Sequence, residues 1–302
     1  MKYYLATARN FVLVALATTA LLFFIHTLEP RTQPINAPAI AEWQQTEHVR
    51  QLMSPITFDL KMNVYAAEKD AVSQKEKTWI CASGAGTVFA HKKIGHFLTN
   101  HHVIDPEYVK TGCLYNLAKE RNVPISSLSR VQFRVEYFLT NADKVVFPVH
   151  VVHSFPEIDV AVLNAEKNIL TAPIYKNWKS VDFRTGSPKI VDGKIVLGKG
   201  PMVLPDEPVA TMGSPLYLPF TIIKGTLGNN TFSSRSGIPL IHFIAPINSG
   251  NSGGPLISLL DFKVIGMTTM SKADYEGNDR SLQSGAVPFW EIQKALRSVG
   301  LE

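Results

Sequence analysis

From position 56 to 65, apolar Ile56, Phe58, Leu60, Met62 and Val64 alternate with Thr57, Asp59, Lys61, Asn63 and Tyr65. A period of two puts the apolar set on one face, which predicts a strand and the start of a folded domain. After a charged stretch, 68–77, expected to be a loop, short apolar runs recur at 79–82, 87–90, 96–99, 131–139, 145–152 and 158–163, separated by turn residues. Runs of this length and spacing predict an all-β barrel or sandwich. The pattern loosens over 164–206, where a long connection with one or two edge strands is expected. It resumes at 208–212, 220–223, 240–245, 255–259 and 264–269. A closing helix is predicted from Pro288, a residue tolerated at a first helical position, through Trp290, Ile292 and Leu296.

The amino-terminal region follows another pattern. Lys2 and Arg9 precede an uncharged run, 11–25, as a positive region precedes the apolar stretch of an export signal. The run reaches only about 22 Å against a hydrocarbon core of about 30 Å, which favours a cleaved signal peptide. The nearest small-x-small pair, Ala39 and Ala41, lies beyond Pro30, Pro34 and Pro38, and this favours an uncleaved anchor. The expectation is a signal anchor or transmembrane segment at 1–28, contacting the membrane through 11–25, with the folded part outside the cytoplasm. It becomes a secreted protein if the signal is cleaved. Residues 29–55 are expected to be a proline-rich linker holding at most one short helix near 41–53.

Composition narrows the class. Hydrophobic residues are 45% of 302 and charged residues 18%, below the roughly 25% of an average soluble domain, so a sizeable core can form and a disordered chain is excluded. Glycine and proline, 19 each, are scattered without period, which excludes collagen and coiled coil. The net charge of +5 comes with no Lys/Arg block interleaved with aromatics, so nucleic acid is not an expected partner. Cys81 and Cys113 cannot complete a four-ligand zinc site alone, but they can form one bridge. His91 and His96 are read as solvated loop residues rather than a metal pair. No metal or cofactor is expected.

Three islands carry candidate chemistry. Thr99-Asn100-His101-His102 follows a predicted strand and offers an imidazole able to exchange a proton near neutral pH. Asp159 precedes an apolar run, where its charge calls for a partner such as a histidine N–H. Asn248-Ser249-Gly250-Asn251-Ser252-Gly253-Gly254-Pro255 is the most specific of the three. Its glycines allow a sharp turn that exposes the Ser252 hydroxyl, while the amides of Gly250 and Ser252 are placed to meet a developing oxyanion. A phosphate cradle would lead into a helix and bring a lysine, whereas an apolar run follows here.

The order His102, Asp159, Ser252 is that of the two-barrel chymotrypsin-like proteases. Together with the glycine-flanked Gly84 to Val88, the segment Val209 to Pro215 and Ile223 to Thr226, it makes the chain resemble trypsin-like serine proteases of the HtrA/Deg type over roughly 54–296. The resemblance implies two six-stranded antiparallel β-barrels, at 56–170 with the histidine and aspartate and at 171–302 with the serine and the terminal helix. It implies His102 as base, Asp159 as its orienting partner, Ser252 as nucleophile and polypeptide substrates, whereas the PDZ module that proteases of this type usually carry is not expected here. His101 is then a neighbour facing away, on the expectation that both histidines lie on a strand, and Asp105 is a rival carboxylate. A substrate pocket is expected from Pro246, Ile247, Gly266, Met267 and Thr268, taking a small or medium apolar side chain. A Cys81–Cys113 bridge pinning the histidine hairpin is in keeping with the resemblance. The competing class is a catalytically silent interaction module on the same scaffold.

Overall fold

The computed structural model describes residues 37–69, 75–91, 95–166, 182–192, 194–198, 203–228, 234–235, 238–269 and 283–301. Two units, Met1–Gln45 and Thr46–Glu302, separate by their internal contacts, and both barrels belong to the second. The apolar run 11–25 and the proposed domain boundary near 170 lie outside the described residues. No helix among the described residues is long and apolar enough to cross a membrane.

Helix α1 (Ala37–Met53) is longer than the short helix expected there. Its last turns do not behave as linker. Val49 and Met53, four apart and therefore on one face, are fully buried.

The first barrel closes from β1 (Thr57–Lys69), β2 (Glu76–Ala90), β3 (His96–Thr99), β4 (Gln132–Thr140), β5 (Val146–Phe155) and β6 (Val160–Ala165), in the order β1-β2-β3-β6-β5-β4. The alternation read from the sequence is present: Phe58, Leu60, Met62 and Val64 are buried and continue into Ala66. Consequently β1 and β2 run further into the charged stretch than expected, pairing out to Lys69 and Glu76.

The second barrel closes from β9 (Pro208–Gly213), β10 (Thr221–Leu227), β13 (Ile241–Ile244), β14 (Pro255–Ser258), β15 (Val264–Thr269) and β16 (Gln283–Pro288), in the order β10-β13-β16-β15-β14-β9. Two hairpins, β7 (Ser187–Val191) with β8 (Lys194–Gly198) and β11 (Ser234–Arg235) with β12 (Ile238–Pro239), form two-stranded sheets of their own. The terminal helix α4 (Phe289–Ser298) starts one residue after Pro288, which occupies the cap position with an extended backbone.

Two more helices, α2 (His101–Ile104) and α3 (Glu107–Arg121), occupy a stretch in which no helix was expected. The turn α2 overturns the placement of His101 and His102 on a strand: they are helical residues, so opposite faces of a pleat do not separate them.

Strands at the seam between the barrels are buried on both faces, which explains their continuous apolar runs. On β6, Ala161 and Leu163 fill the first barrel while Val160 and Val162 enter the seam. On β9, Val209 fills the second barrel while Ala210 and Met212 enter the seam. Strand β5, whose last residue Phe155 packs on the seam cluster, keeps plain alternation at its start.

The connection into the second barrel is held by charge. Arg184 is fully buried, and its guanidinium donates to Glu207 (Nη1 to Oε2, 3.1 Å) and to Asp261 (Nε to Oδ2, 2.9 Å; Nη2 to Oδ1, 2.8 Å). Removing the cation strands two carboxylates in a low-dielectric site. Arg184→Met is therefore expected to cost about 3–5 kcal/mol, read as a lower urea midpoint at unchanged slope.

Candidate active site

The site is assembled at the seam by strand register. Thr99 at the end of β3 pairs with Ala161 near the start of β6. The chain leaving β3 toward His102 therefore runs beside the chain that delivers Asp159. The His102 ring nitrogen Nδ1 lies 3.0 and 2.9 Å from the two carboxylate oxygens of Asp159, and the His102 amide donates to Oδ1 at 3.0 Å. A third donor comes from the other barrel, where Thr269 Oγ1 at the end of β15 donates to Oδ2 at 2.9 Å.

Asp159 is not strand-mounted as expected. It follows a 3-10 turn, Pro156–Ile158, with φ 55°, a left-handed conformation that Asp tolerates better than most residues. The Asn100 side chain donates to its carbonyl at 3.0 Å and supports that turn. Burial alone would raise the Asp159 pKa. The hydrogen bond and charge of the His102 ring, the His102 amide and the Thr269 hydroxyl outweigh it and hold the carboxyl below its ordinary 3.8.

Other candidates around the ring are spent elsewhere. Asp105 accepts the Glu107 amide at 3.0 Å, at the start of α3. His101 meets Ser154 of β5 at 2.7 Å. Tyr137 of β4 donates to the Ile104 carbonyl at 2.8 Å and fastens the end of α2. Burial, aided by the Asp105 charge, pushes its pKa up to about 12. His91 is buried, not solvated, and packs near Phe183.

The serine turn shows why glycines are required. Gly250 and Gly253 have φ of +99° and +87°, and a Cβ on them would fall 2.1 Å from the Ser214 carbonyl oxygen and 2.0 Å from that of Thr87. Two peptide planes have their orientation set by their carbonyls: Ser249 O accepts the Leu216 amide at 3.1 Å and Asn251 O accepts the Gly254 amide at 3.0 Å. In a trans peptide the N–H points opposite to the C=O. The Gly250 and Ser252 amides are thereby aimed away from those partners, and neither has an acceptor among the described residues.

The turn is also laced to both barrels. The Thr87 amide of β2 donates to the Ser252 carbonyl at 2.9 Å, and the Gly253 amide donates to Thr268 at 2.8 Å, one residue from Thr269. Ser252 is thus placed beside the strand that contacts Asp159. Among the described residues its hydroxyl makes no hydrogen bond to the His102 ring, and catalytic contacts of this kind commonly tighten only on substrate binding.

Of the proposed pocket residues, Pro246 is exposed and Ile247 half-buried. Met267 packs in the seam core, and Thr268 pairs its hydroxyl with Thr211 at 2.9 Å. A Cβ on Gly266 would lie 2.8 Å from the Val287 carbonyl oxygen. Cys81 and Cys113 are disulfide-bonded with Cα atoms 5.7 Å apart, tying β2 to α3. The sequence reading assigned no role to Thr269, Thr87 or Ser214. Thr269 was the most legible, a hydroxyl ending an apolar strand.

Two closed antiparallel barrels with a hydrogen-bonded His–Asp pair on one and a glycine-flanked serine turn on the other define the chymotrypsin-like peptidase architecture. The family model for the trypsin-like peptidase domain matches residues 84–267, and the chain belongs to that family. Among its relatives, mouse serine protease HTRA3 is 30% identical over 165 residues, 51% of this chain and 34% of that protein. A probable periplasmic serine endoprotease DegP-like from Marinomonas sp. is 26% identical over 188 residues, 62% of this chain and 29% of that one. The chain thus spans about a third of the length of these curated relatives. The structure titled HtrA-type protease AlgW with tripeptide shares the fold, with a TM-score of 0.51 at 19% identity, over 85% of this chain and 63% of that one.

Proposed function

We propose that this serine peptidase is an endopeptidase acting on polypeptides outside the cytoplasm. Ser252 Oγ bonds to the scissile carbonyl carbon as His102 takes its proton. The carbonyl oxygen becomes an oxyanion between the Gly250 and Ser252 amides. His102 then returns the proton to the amine as the C–N bond breaks, and water releases the acyl group by the same steps reversed. Asp159 keeps Nδ1 protonated and the ring oriented. The observation that carries this reading is the pair of amides whose peptide planes are fixed while their N–H groups meet no acceptor among the described residues. Preorganised donors of this kind cost no reorganisation when charge develops. No cofactor takes part in these steps.

An extracytoplasmic place is supported by the amino-terminal run 11–25 and by the periplasmic relative. In the proposed pocket, Pro246 stands where a basic specificity would need an acid, so a small or medium apolar P1 residue is preferred. Fluorophosphonate labelling tests the reading. The native chain takes one label and Ser252→Ala takes none; absence of label on both would favour a silent interaction module instead.

A further inference from the structure

Every backbone and side-chain polar atom of Thr87 is committed to the serine turn or to the strand that leads to His102. Its amide donates to Ser252 O at 2.9 Å, and its carbonyl accepts Thr99 Oγ1 at 2.8 Å. Its hydroxyl donates to Gly250 O at 2.7 Å while accepting the Ser214 amide at 3.2 Å. The Ser214 amide also reaches Gly250 O at 3.2 Å. The residue is fully buried, so water does not compete for these bonds. Asp59 stands directly opposite Thr87 in the β1–β2 register, and the Ser214 side chain lies near enough to favour its charged form. Ser214 is thereby held from the first barrel through its amide.

We propose that the Thr87 hydroxyl is a positioning group for the oxyanion site: a strut from the first barrel that fixes the Gly250 carbonyl and so the rotation of Gly250 itself. The inference rests on the serine-peptidase reading. Gly250 is clamped on both sides. The Leu216 amide holds the peptide before it through Ser249 O, and Thr87 holds the peptide after it through Gly250 O. A glycine at φ +99° has little steric restraint of its own, so without the strut its amide keeps only the Leu216 contact through Ser249 O and the longer Ser214 contact through Gly250 O, and can shift from the position that the oxyanion occupies. A valine at 87 keeps the β-branched shape and the backbone bonds and puts a methyl, which can neither donate nor accept, in place of the hydroxyl. Ground-state binding of the peptide is untouched, and the loss falls on the transition state.

The test compares Thr87→Val, Thr87→Ser and the native chain on a fluorogenic peptide that the native chain cleaves, with a peptide boronic acid of the same sequence as transition-state mimic. Losing a whole oxyanion donor costs about 10²–10³-fold, and a misaligned one less. Thr87→Val is therefore expected to lower kcat about tenfold with KM within about twofold, and to weaken boronate binding by the same factor. Thr87→Ser, which restores the hydroxyl, is expected within about threefold of native in both. The proposal is overturned if Thr87→Val keeps native kcat, if the loss lies in KM alone, or if Thr87→Ser is as slow as Thr87→Val. Should the valine variant fail to fold, Thr87→Ala is compared with Thr87→Ser on the same criteria. Failure of the native chain to take a fluorophosphonate removes the peptidase reading and the strut with it; labelling with unchanged kcat in Thr87→Val removes the strut alone.

Discussion

Ser252→Ala is expected to lower kcat by about 10⁶-fold, and His102→Ala by a similar factor, with both variants still folded. The two losses should match because in the proposed mechanism the hydroxyl and the imidazole act as one unit: without the base the hydroxyl is a poor nucleophile, and without the nucleophile the base has nothing to activate. For the same reason the double variant should be no slower than either single one. A residual rate of about 10³–10⁴ over water is expected from the fixed Gly250 and Ser252 amides and from binding. Steady-state hydrolysis of a fluorogenic peptide measures the loss. Superimposable far-UV dichroism excludes unfolding as its cause, since Ser252 lies in a turn held by backbone bonds to Thr87, through Ser252 O, and to Thr268, through Gly253 N.

Asp159→Asn is expected to reduce kcat by about 10⁴-fold with little change in KM. The two carboxylate oxygens accept from the His102 ring, the His102 amide and Thr269. An amide offers one acceptor oxygen and an NH2 that faces one of these donors, so the ring loses the partner that keeps Nδ1 protonated. The same substitution has a signature in stability. The Asp159 carboxyl is held below its ordinary 3.8 in the folded chain, so the unfolded chain binds more protons between the two values. The stabilisation is present above the ordinary value and is lost as pH falls through the window down to the folded one. Urea midpoints of native and Asp159→Asn chains, compared from pH 6 downward, should converge across that window, because only the native chain carries this contribution.

Strand periodicity carried most of the barrels because alternation reports directly which face is buried. The run from Phe58 to Val64 is the clearest case, and the two-faced burial of β6 and β15 explains runs such as Val160 to Leu163 that alternation alone cannot orient. The serine turn was legible because Gly250 and Gly253 occupy backbone conformations that other residues rarely adopt. Helix α3 was not foreseen, although Cys113 and Leu117 are spaced for one face and both are buried. Asp159 was identified by its place before an apolar run, but its left-handed backbone depends on the 3-10 turn and on Asn100, a contact between residues far apart in the chain. Thr269 and Thr87 act across the seam, and partners on different barrels leave no periodic trace in the sequence.

In the proposed mechanism one hydroxyl, one ring and two amides converge on a single scissile carbonyl, and the structure of the chain with a peptide boronic acid bound tests this most directly. The expected result is a covalent bond from boron to Ser252 Oγ, one boron-bound oxygen about 2.7–3.1 Å from both the Gly250 and Ser252 amide nitrogens, and His102 still hydrogen-bonded to Asp159. Boron bonded to another residue, or held at Ser252 with that oxygen turned away from both amides, would contradict it.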